Sequence, residues 1–288
     1  MLAAAVGLLL SGRIGIPWAS EDPGELPDGA ASSLFEIHFF DVGEADAALV
    51  ECDGHFMLID GGTPDHSSFL YSYLRENGIR HLDYIICSHP HVDHVGGLAG
   101  ALQYASVGAA FCSVTDYNSR AFQNFVKYLA AQGKSITVPS PGQTIALGSA
   151  KLTFLGPVDR TLAEEDENNG SLIVRIEYGA TSFLFTGDAE KEEELSVLNA
   201  GEALRSTLLK VGHHGSYTSS SKEFLEAVRP EYAVISVGKE NDYDHPHDSV
   251  LRRLGQVCGT ICRTDLDGEI VCRSDGRELA FSFPDQEH

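Results

Sequence analysis

The chain has 288 residues, 43% of them hydrophobic, enough for one large α/β domain or two small ones around a substantial core, and this excludes a disordered tail or a scaffold segment. Its 42 acidic residues against 20 basic give a formal net charge of -22, which opposes long-range attraction to nucleic acid or to anionic lipid. Any polyanionic substrate must then be held locally, by bound cations or by a few basic residues gathered at one place.

Residues 2–10 form an apolar run as long as a signal-peptide core, too short to span a bilayer and with no Lys or Arg before it. Trp18-Ala19-Ser20 is a poor cleavage site, so the start reads as a degraded or truncated export signal or membrane anchor, or else as a disordered beginning. Residues 21–33, rich in Pro, Gly, Asp and Ser, read as a linker. If the segment is used, the protein is expected outside the cell or anchored facing outward, touching the membrane only there; otherwise it is cytoplasmic. Residues 34–284 contain no linker signal and read as a single domain.

Residues 35–40 alternate as a first strand, followed by the short acidic turn Asp41-Val42-Gly43-Glu44-Ala45-Asp46 and a second strand at 47–52. A third strand, 55–59, ends on Asp60-Gly61-Gly62, where the glycines let the chain turn into a helix over 67–77. Then comes a β-branched strand, 82–87, and directly after it Ser88-His89-Pro90-His91-Val92-Asp93-His94, leading into a helix over 95–105. A strand at 110–114, a helix at 119–131 and short strands broken by Pro139, Pro141, Gly142 and Gly148 follow. Glu164-Glu165-Asp166-Glu167 reads as a solvated acidic loop. A hairpin around residues 178–181 ends on Thr186-Gly187-Asp188, a helix spans 189–198, and a strand at 206–211 leads to His213-His214-Gly215-Ser216. The second half is completed by a helix at 221–228, a strand at 232–237, a polar loop at 238–246, a helix at 249–254 and three strands near 260–263, 268–272 and 278–283.

Three imidazoles and a carboxylate in six residues closing a strand are hard to explain by packing. On extended backbone His89 and His91 point the same way and can grip one metal ion, while Asp93 and His94, round the corner, reach a second. Imidazole with carboxylate suits Zn²⁺, with Mn²⁺ or Fe²⁺ where oxygen ligands dominate. The order strand, Asp, helix, strand, His occurs twice, through Asp60 to His89 and through Asp188 to His213. This repetition suggests two half-domains packed sheet to sheet, an αββα sandwich, with the metal site where equivalent strand ends meet. Asp188, ending a buried strand, needs hydrogen bonds, a partner or a metal, and its carboxylate can bridge two cations. Either His213 or His214 completes the second site, His213 being favoured by the parallel with the first half. Asp60 is expected to accept a hydrogen bond from a ligand histidine.

The histidine stretch resembles the signature of the metallo-β-lactamase fold superfamily. Further matches are similar to its ComEC-like branch, the hydrolase domain attached to the competence DNA-uptake channel and its soluble relatives. The turn at 41–46 resembles that branch's Asp-Val-Gly-Gln-Gly-Asp, retaining Asp41 and Asp46 but carrying Glu44 and Ala45 where the branch has Gln and Gly. If that Gly is needed for positive φ, Ala45 strains or widens the turn. The superfamily usually supplies a further histidine before the bridging aspartate, but this chain reads Asn168-Asn169-Gly170-Ser171 there, as the branch does. One site is then ligand-poor, held by His89, His91, Asp188 and water, with Asn169 beside it. The loop at 238–246 resembles the branch's Asn-x-Tyr-x-His-Pro and offers His245.

What the resemblance implies is a four-layer αββα fold and a hydrolase with two divalent metal ions, Zn or Mn, held by His89, His91, Asp93, His94, Asp188 and His213. Asp41, Asp46, Asp60 and His214 would support those ligands. Asp93 and His245 would carry catalysis, and the turn amides around Gly215-Ser216, together with His245 and Asn169, would contact substrate. The expected activity is a phosphodiesterase or nuclease acting on DNA, without a stable nucleic-acid complex. β-Lactam or thioester hydrolysis is the rival chemistry, and a metal-stabilised binding module without catalysis the rival class, resting on the altered Glu44-Ala45 turn. Of six cysteines, Cys52, Cys87 and Cys112 read as small buried residues, and one disulfide is open to Cys258, Cys262 and Cys272 if the chain is exported.

Overall fold

The computed structural model describes residues 35–284; segment 1–33, with the export signal, anchor and linker expected there, lies outside the described residues. The first sheet begins with β1 (Phe35–Phe39), β2 (Ala48–Cys52) and β3 (His55–Ile59) as an antiparallel meander, then continues in parallel through β4 (His81–Cys87), β5 (Ser106–Cys112) and β6 (Ile136–Thr137). The second sheet starts with antiparallel β7 (Thr144–Leu147), β8 (Ala150–Gly156), β9 (Ile173–Tyr178) and β10 (Thr181–Phe185), and runs in parallel through β11 (Leu208–Lys210), β12 (Tyr232–Ile235) and β13 (Thr260–Arg263). A final hairpin, β14 (Ile270–Ser274) and β15 (Leu279–Ser282), returns to the first sheet, β14 lying antiparallel to β1. Its expected place in the second half is therefore corrected: both strands widen the first sheet to eight strands against seven among the described residues.

Period-two alternation sets the layers. Phe35, Ile37 and Phe39 of β1 face the second sheet, where Phe35 stacks on Tyr178 and Phe183 with centroids 5.0 and 4.6 Å apart and Phe39 on Phe185 at 5.8 Å. The outer face of the first sheet is covered by helices α1 (Ser67–Glu76), α3 (Leu98–Tyr104) and α4 (Arg120–Ala131), with Leu70, Leu98 and Phe125 among the buried residues. The second sheet is covered by α5 (Lys191–Ala200), α6 (Lys222–Val228) and α7 (Asp248–Leu254), through Val197, Phe224 and Val250. Those four layers are the αββα sandwich, and the parallel pairs β3/β4 and β10/β11 are the two copies of the strand-Asp-helix-strand-His unit.

Two elements differ from the sequence expectation. β5 starts at Ser106, not 110, because it follows β4 along its whole length from the His81–Ser106 pair. The helix after the histidines is split, a single turn α2 (Val92–Val95) preceding α3, so Asp93 and His94 are already helical. No disulfide forms among the described cysteines; Cys262 and Cys272 are buried separately in the layer between the sheets. The short helix α8 (Thr264–Asp267) links β13 to the returning hairpin.

On the outer face of β1, His38 sits between Glu269, whose Oε1 accepts from Nδ1 at 2.7 Å, and Glu36, which also holds Arg273. Burial works against a charge on His38, but Glu269 and Glu36 outweigh it and raise its pKa to about 9. The folded value exceeds the ordinary one of about 6.5, so this contribution is complete below pH 6.5 and is lost as pH rises through 9. Stability to urea should therefore fall over that window, by at most about 3 kcal/mol, and less steeply in His38→Gln. Equal slopes for the two proteins would contradict the assignment.

Candidate metal centre

Asp188 lies just beyond the end of β10, and its carboxylate is buried among imidazoles. Oδ2 is 3.2 Å from His94 Nε2, 3.8 Å from His214 Nε2 and 3.9 Å from both His89 Nε2 and His213 Nε2. Asp93 Oδ2 is 3.4 Å from His94 Nε2 and 3.3 Å from His214 Nε2. These groups come from four segments that meet because the two sheets bring the same ends of β4, β10 and β11 together. His89 Nε2, His94 Nε2 and Asp188 Oδ1 are all buried with no hydrogen-bond partner. An unpaired carboxylate oxygen and unpaired imidazole nitrogens aimed into one space are costly unless a cation sits there, so the donor set fits divalent metal ions.

Neighbouring groups fix which nitrogen each ring presents. Asp60 Oδ2 accepts from His94 Nδ1 at 3.0 Å while its Oδ1 accepts from the Ser88 amide at 2.7 Å. Ser236 O accepts from His214 Nδ1 at 3.0 Å. In both rings Nε2 is the nitrogen turned to the carboxylates, the atom a metal ligand would use once its proton is displaced. His91 differs: its Nε2 is taken by Glu167 Oε2 at 2.9 Å, which also accepts from Tyr117 OH at 2.5 Å. Nδ1 is then the atom His91 has left for a cation. Glu167 is thus a contact of the site and not simply part of a solvated acidic run.

The two histidines after β11 are placed differently from each other. The parallel with the first half favours His213, but the chain leaves extended geometry and both histidines adopt left-handed backbone, φ 50° at His213 and 52° at His214. His214 is swung into the tight group with Asp93, His94 and Asp188, whose ligand atoms all lie within 4.8 Å, whereas His213 stays at the rim with its Nδ1 3.4 Å from Glu190. The next residue, Gly215, is also left-handed at φ 86°, and a Cβ there would fall 2.5 Å from Pro246 Cβ.

Other expected residues are placed differently from their anticipated roles. Asp41 is exposed and its Oδ1 accepts only from Gly43 N, 3.2 Å away within the turn. Asn169 is buried with Oδ1 accepting from the amides of Glu190 and Glu193 at 3.1 and 3.4 Å, so its carbonyl caps the start of α5. The Ser216 amide donates to His213 O at 2.7 Å, which removes it from phosphate binding, and its hydroxyl lies 3.0 Å from that of Thr218. Ala45 is not left-handed; Gly43 carries the positive φ of that turn, so the Ala is unstrained. Glu44 accepts from His245 Nδ1 at 2.6 Å through Oε1 and from Gly238 N at 2.9 Å through Oε2. It ties the loop that carries His245 to the first sheet.

Sequence reasoning missed Lys210. This buried lysine of β11 holds Asp46 with Nζ 2.7 and 2.8 Å from its two carboxylate oxygens, and Asp46 Oδ1 lies 3.5 Å from His214 Nδ1. The available signal was one cation in the otherwise apolar run Leu208-Leu209-Lys210-Val211, immediately before the histidines.

The charge states follow from burial and proximity. Burial pushes the His89 pKa well down, so it is a neutral donor. Burial also opposes charge on His94 and His214, but Asp188 with Asp93 and Asp60 for the first, and Asp188 with Asp46 for the second, raise both well above the ordinary value. Asp188 and Asp93 are held ionised against burial chiefly by His94.

The sequence profile of the Metallo-beta-lactamase superfamily matches residues 40–239. The chain belongs to that superfamily. It is 30% identical over 269 residues to ComE operon protein 3 of Bacillus subtilis (strain 168), covering 87% of this chain and 34% of that protein. To Competence protein ComA of Neisseria gonorrhoeae it is 31% identical over 280 residues, 93% and 37% respectively. These relatives put it in the ComEC-like branch, and the chain spans about a third of their length. Among solved structures, the metallo-beta-lactamase fold protein YhfI from Bacillus subtilis is similar with a TM-score of 0.57 over 84% of this chain and 100% of that one, at 14% identity, a likeness of fold alone. Membership of this superfamily, together with this donor set, supports a metal-dependent hydrolase.

Because His94 and His214 hold protons when no cation is present, cations must displace them. Metal binding should release protons, and affinity should rise with pH through neutrality. Calorimetry in buffers of different ionisation enthalpy measures the release; binding with no proton exchange would contradict these charge states. Asp60→Asn, which leaves a single oxygen for the two N–H groups of His94 and Ser88 that Asp60 now serves, should weaken metal binding by about 10- to 100-fold.

Proposed function

We propose that the protein is a dinuclear metal-dependent phosphodiesterase acting on nucleic acid, with DNA as the first candidate. The observation that carries this reading is one buried carboxylate, Asp188, facing imidazoles from both halves of the sandwich. His89, His91 and Asp188 would hold one divalent ion; Asp93, His94, His214 and the same Asp188 the other, with Mn²⁺ or Zn²⁺ the metals the donors suit. Two such ions activate a water and take up the charge of the phosphoryl oxygens.

The chain's own residues prepare that chemistry. Asp60 and Ser236 O fix the tautomers of His94 and His214, and Glu167 orients His91. Lys210 neutralises Asp46 and so steadies the His214 side of the site. Glu44 holds Nδ1 of His245 and leaves Nε2, which would donate to a substrate phosphate when both ring nitrogens carry a proton; the ring lies 5.8 Å from His213 and 6.4 Å from His214, centroid to centroid. The likeness to the ComEC-like branch, a hydrolase domain attached to a DNA-uptake channel, supports nucleic acid as substrate class. No observation favours β-lactam or thioester hydrolysis over this. The non-catalytic reading rested on the Glu44-Ala45 turn, and that turn is unstrained and holds His245.

Mn²⁺- or Zn²⁺-dependent cleavage of bis-p-nitrophenyl phosphate, with a chromogenic cephalosporin left intact, is the expected result. His245→Ala should keep the metal content and slow diester cleavage by about 10- to 100-fold, as loss of a charge-assisted contact would. Cephalosporin turnover without diester cleavage would reverse the assignment, and loss of a metal equivalent in His245→Ala would make His245 a ligand.

A further inference from the structure

Beside the metal centre runs a row of four rings. Tyr217 meets His247 perpendicularly at 5.0 Å, His247 lies 5.0 Å from His245, and Tyr243 stacks on His245 at 5.5 Å with an interplanar angle of 19°. The row is continuous with the site through His213, 5.8 Å from His245. Its outer members, Tyr217 and Tyr243, are each 65% exposed, the most open large apolar residues among those described.

The shelf is held firmly in place. Pro246 packs on Gly215, Asn241 Nδ2 donates to His245 O and Gly238 O at 2.7 and 2.9 Å, and the Tyr217 amide donates to His247 Nδ1 at 3.3 Å. Two large rings kept in water on two loops that are tied to each other gain nothing for folding. The neighbouring side chains Asp242 and Asp244 are exposed acids, which repel phosphate and leave the flat ring faces as the attractive feature.

We infer that Tyr217 and Tyr243 form a base-stacking subsite for unpaired nucleotides next to the scissile phosphodiester, so that the substrate is single-stranded nucleic acid. The inference rests on the phosphodiesterase reading for its choice of ligand. Stacking needs no net positive charge and accepts any base, so it adds affinity in a protein whose net charge of -22 gives no long-range attraction to nucleic acid. Paired bases keep their faces buried in the duplex and cannot use the shelf.

The test is fluorescence anisotropy with three phosphorothioate probes of equal length, on metal-loaded protein: an oligothymidylate, an abasic strand of the same charge, and a duplex. The expected result is tighter binding of the thymidylate than of either other probe, by about five- to a hundredfold for each stacked base. In Tyr217→Ala/Tyr243→Ala the thymidylate should bind as weakly as the abasic strand, while Tyr217→Phe/Tyr243→Phe should retain the preference. Equal affinity for the three probes, no measurable thymidylate binding, or a preference that survives the double alanine variant would overturn the subsite. Cleavage of an ordinary abasic phosphodiester strand by the wild-type protein tests the underlying reading separately, since that substrate offers no base to stack.

Discussion

The structure depends on one buried carboxylate that is not neutralised by any lysine or arginine. Asp188 sits at the floor of the cleft between two sheets, with one oxygen unpaired and the other facing imidazoles from α2, the turn before it and the turn after β11. Leaving such a group in a core costs several kcal/mol, and the fold is arranged so that cations offset the cost. The strand ends converge there, Asp60 and Ser236 aim the rings there, and His94 and His214 carry protons in the absence of metal.

Two polar ties across the interior hold the halves in the register this needs. Lys210 of the second sheet binds Asp46 from the turn after β1, and Glu44 of the same turn binds His245 and the Gly238 amide. A shift of one sheet against the other would strand a buried ammonium and a buried carboxylate, each expensive alone. The aromatic layer of Phe35, Phe39, Phe183 and Phe185 supplies the bulk of the cohesion between sheets but little direction. The ion pair and the Glu44 contacts supply the direction.

Most of this was legible in the sequence where the chemistry is dense. Imidazoles spaced at 89, 91 and 94, with aspartates ending strands at 60 and 188, allow few readings, and the twofold strand-Asp-helix-strand-His order gave the sandwich. What escaped depends on backbone geometry or distant pairing. The parallel between the halves favoured His213 over His214, and that parallel carries no sign of the left-handed backbone that both residues adopt. Lys210 looked like the tail of an apolar strand, Glu167 like one more acid in a solvated run, and the Asn169 side chain like a substrate contact when it caps α5. The return of β14 to β1 was invisible because strand partners more than 200 residues apart leave no local signature.

The central claim is that Asp188 serves two cations at once. Metal analysis of the purified protein and of Asp188→Asn, dialysed against the same limiting Mn²⁺ or Zn²⁺, tests it most directly. The account predicts two equivalents per chain in the wild type, and in the variant a loss at both positions to below one equivalent, with the fold retained by circular dichroism. Two full equivalents in Asp188→Asn, or the clean loss of one ion with the other bound as tightly as before, would contradict it.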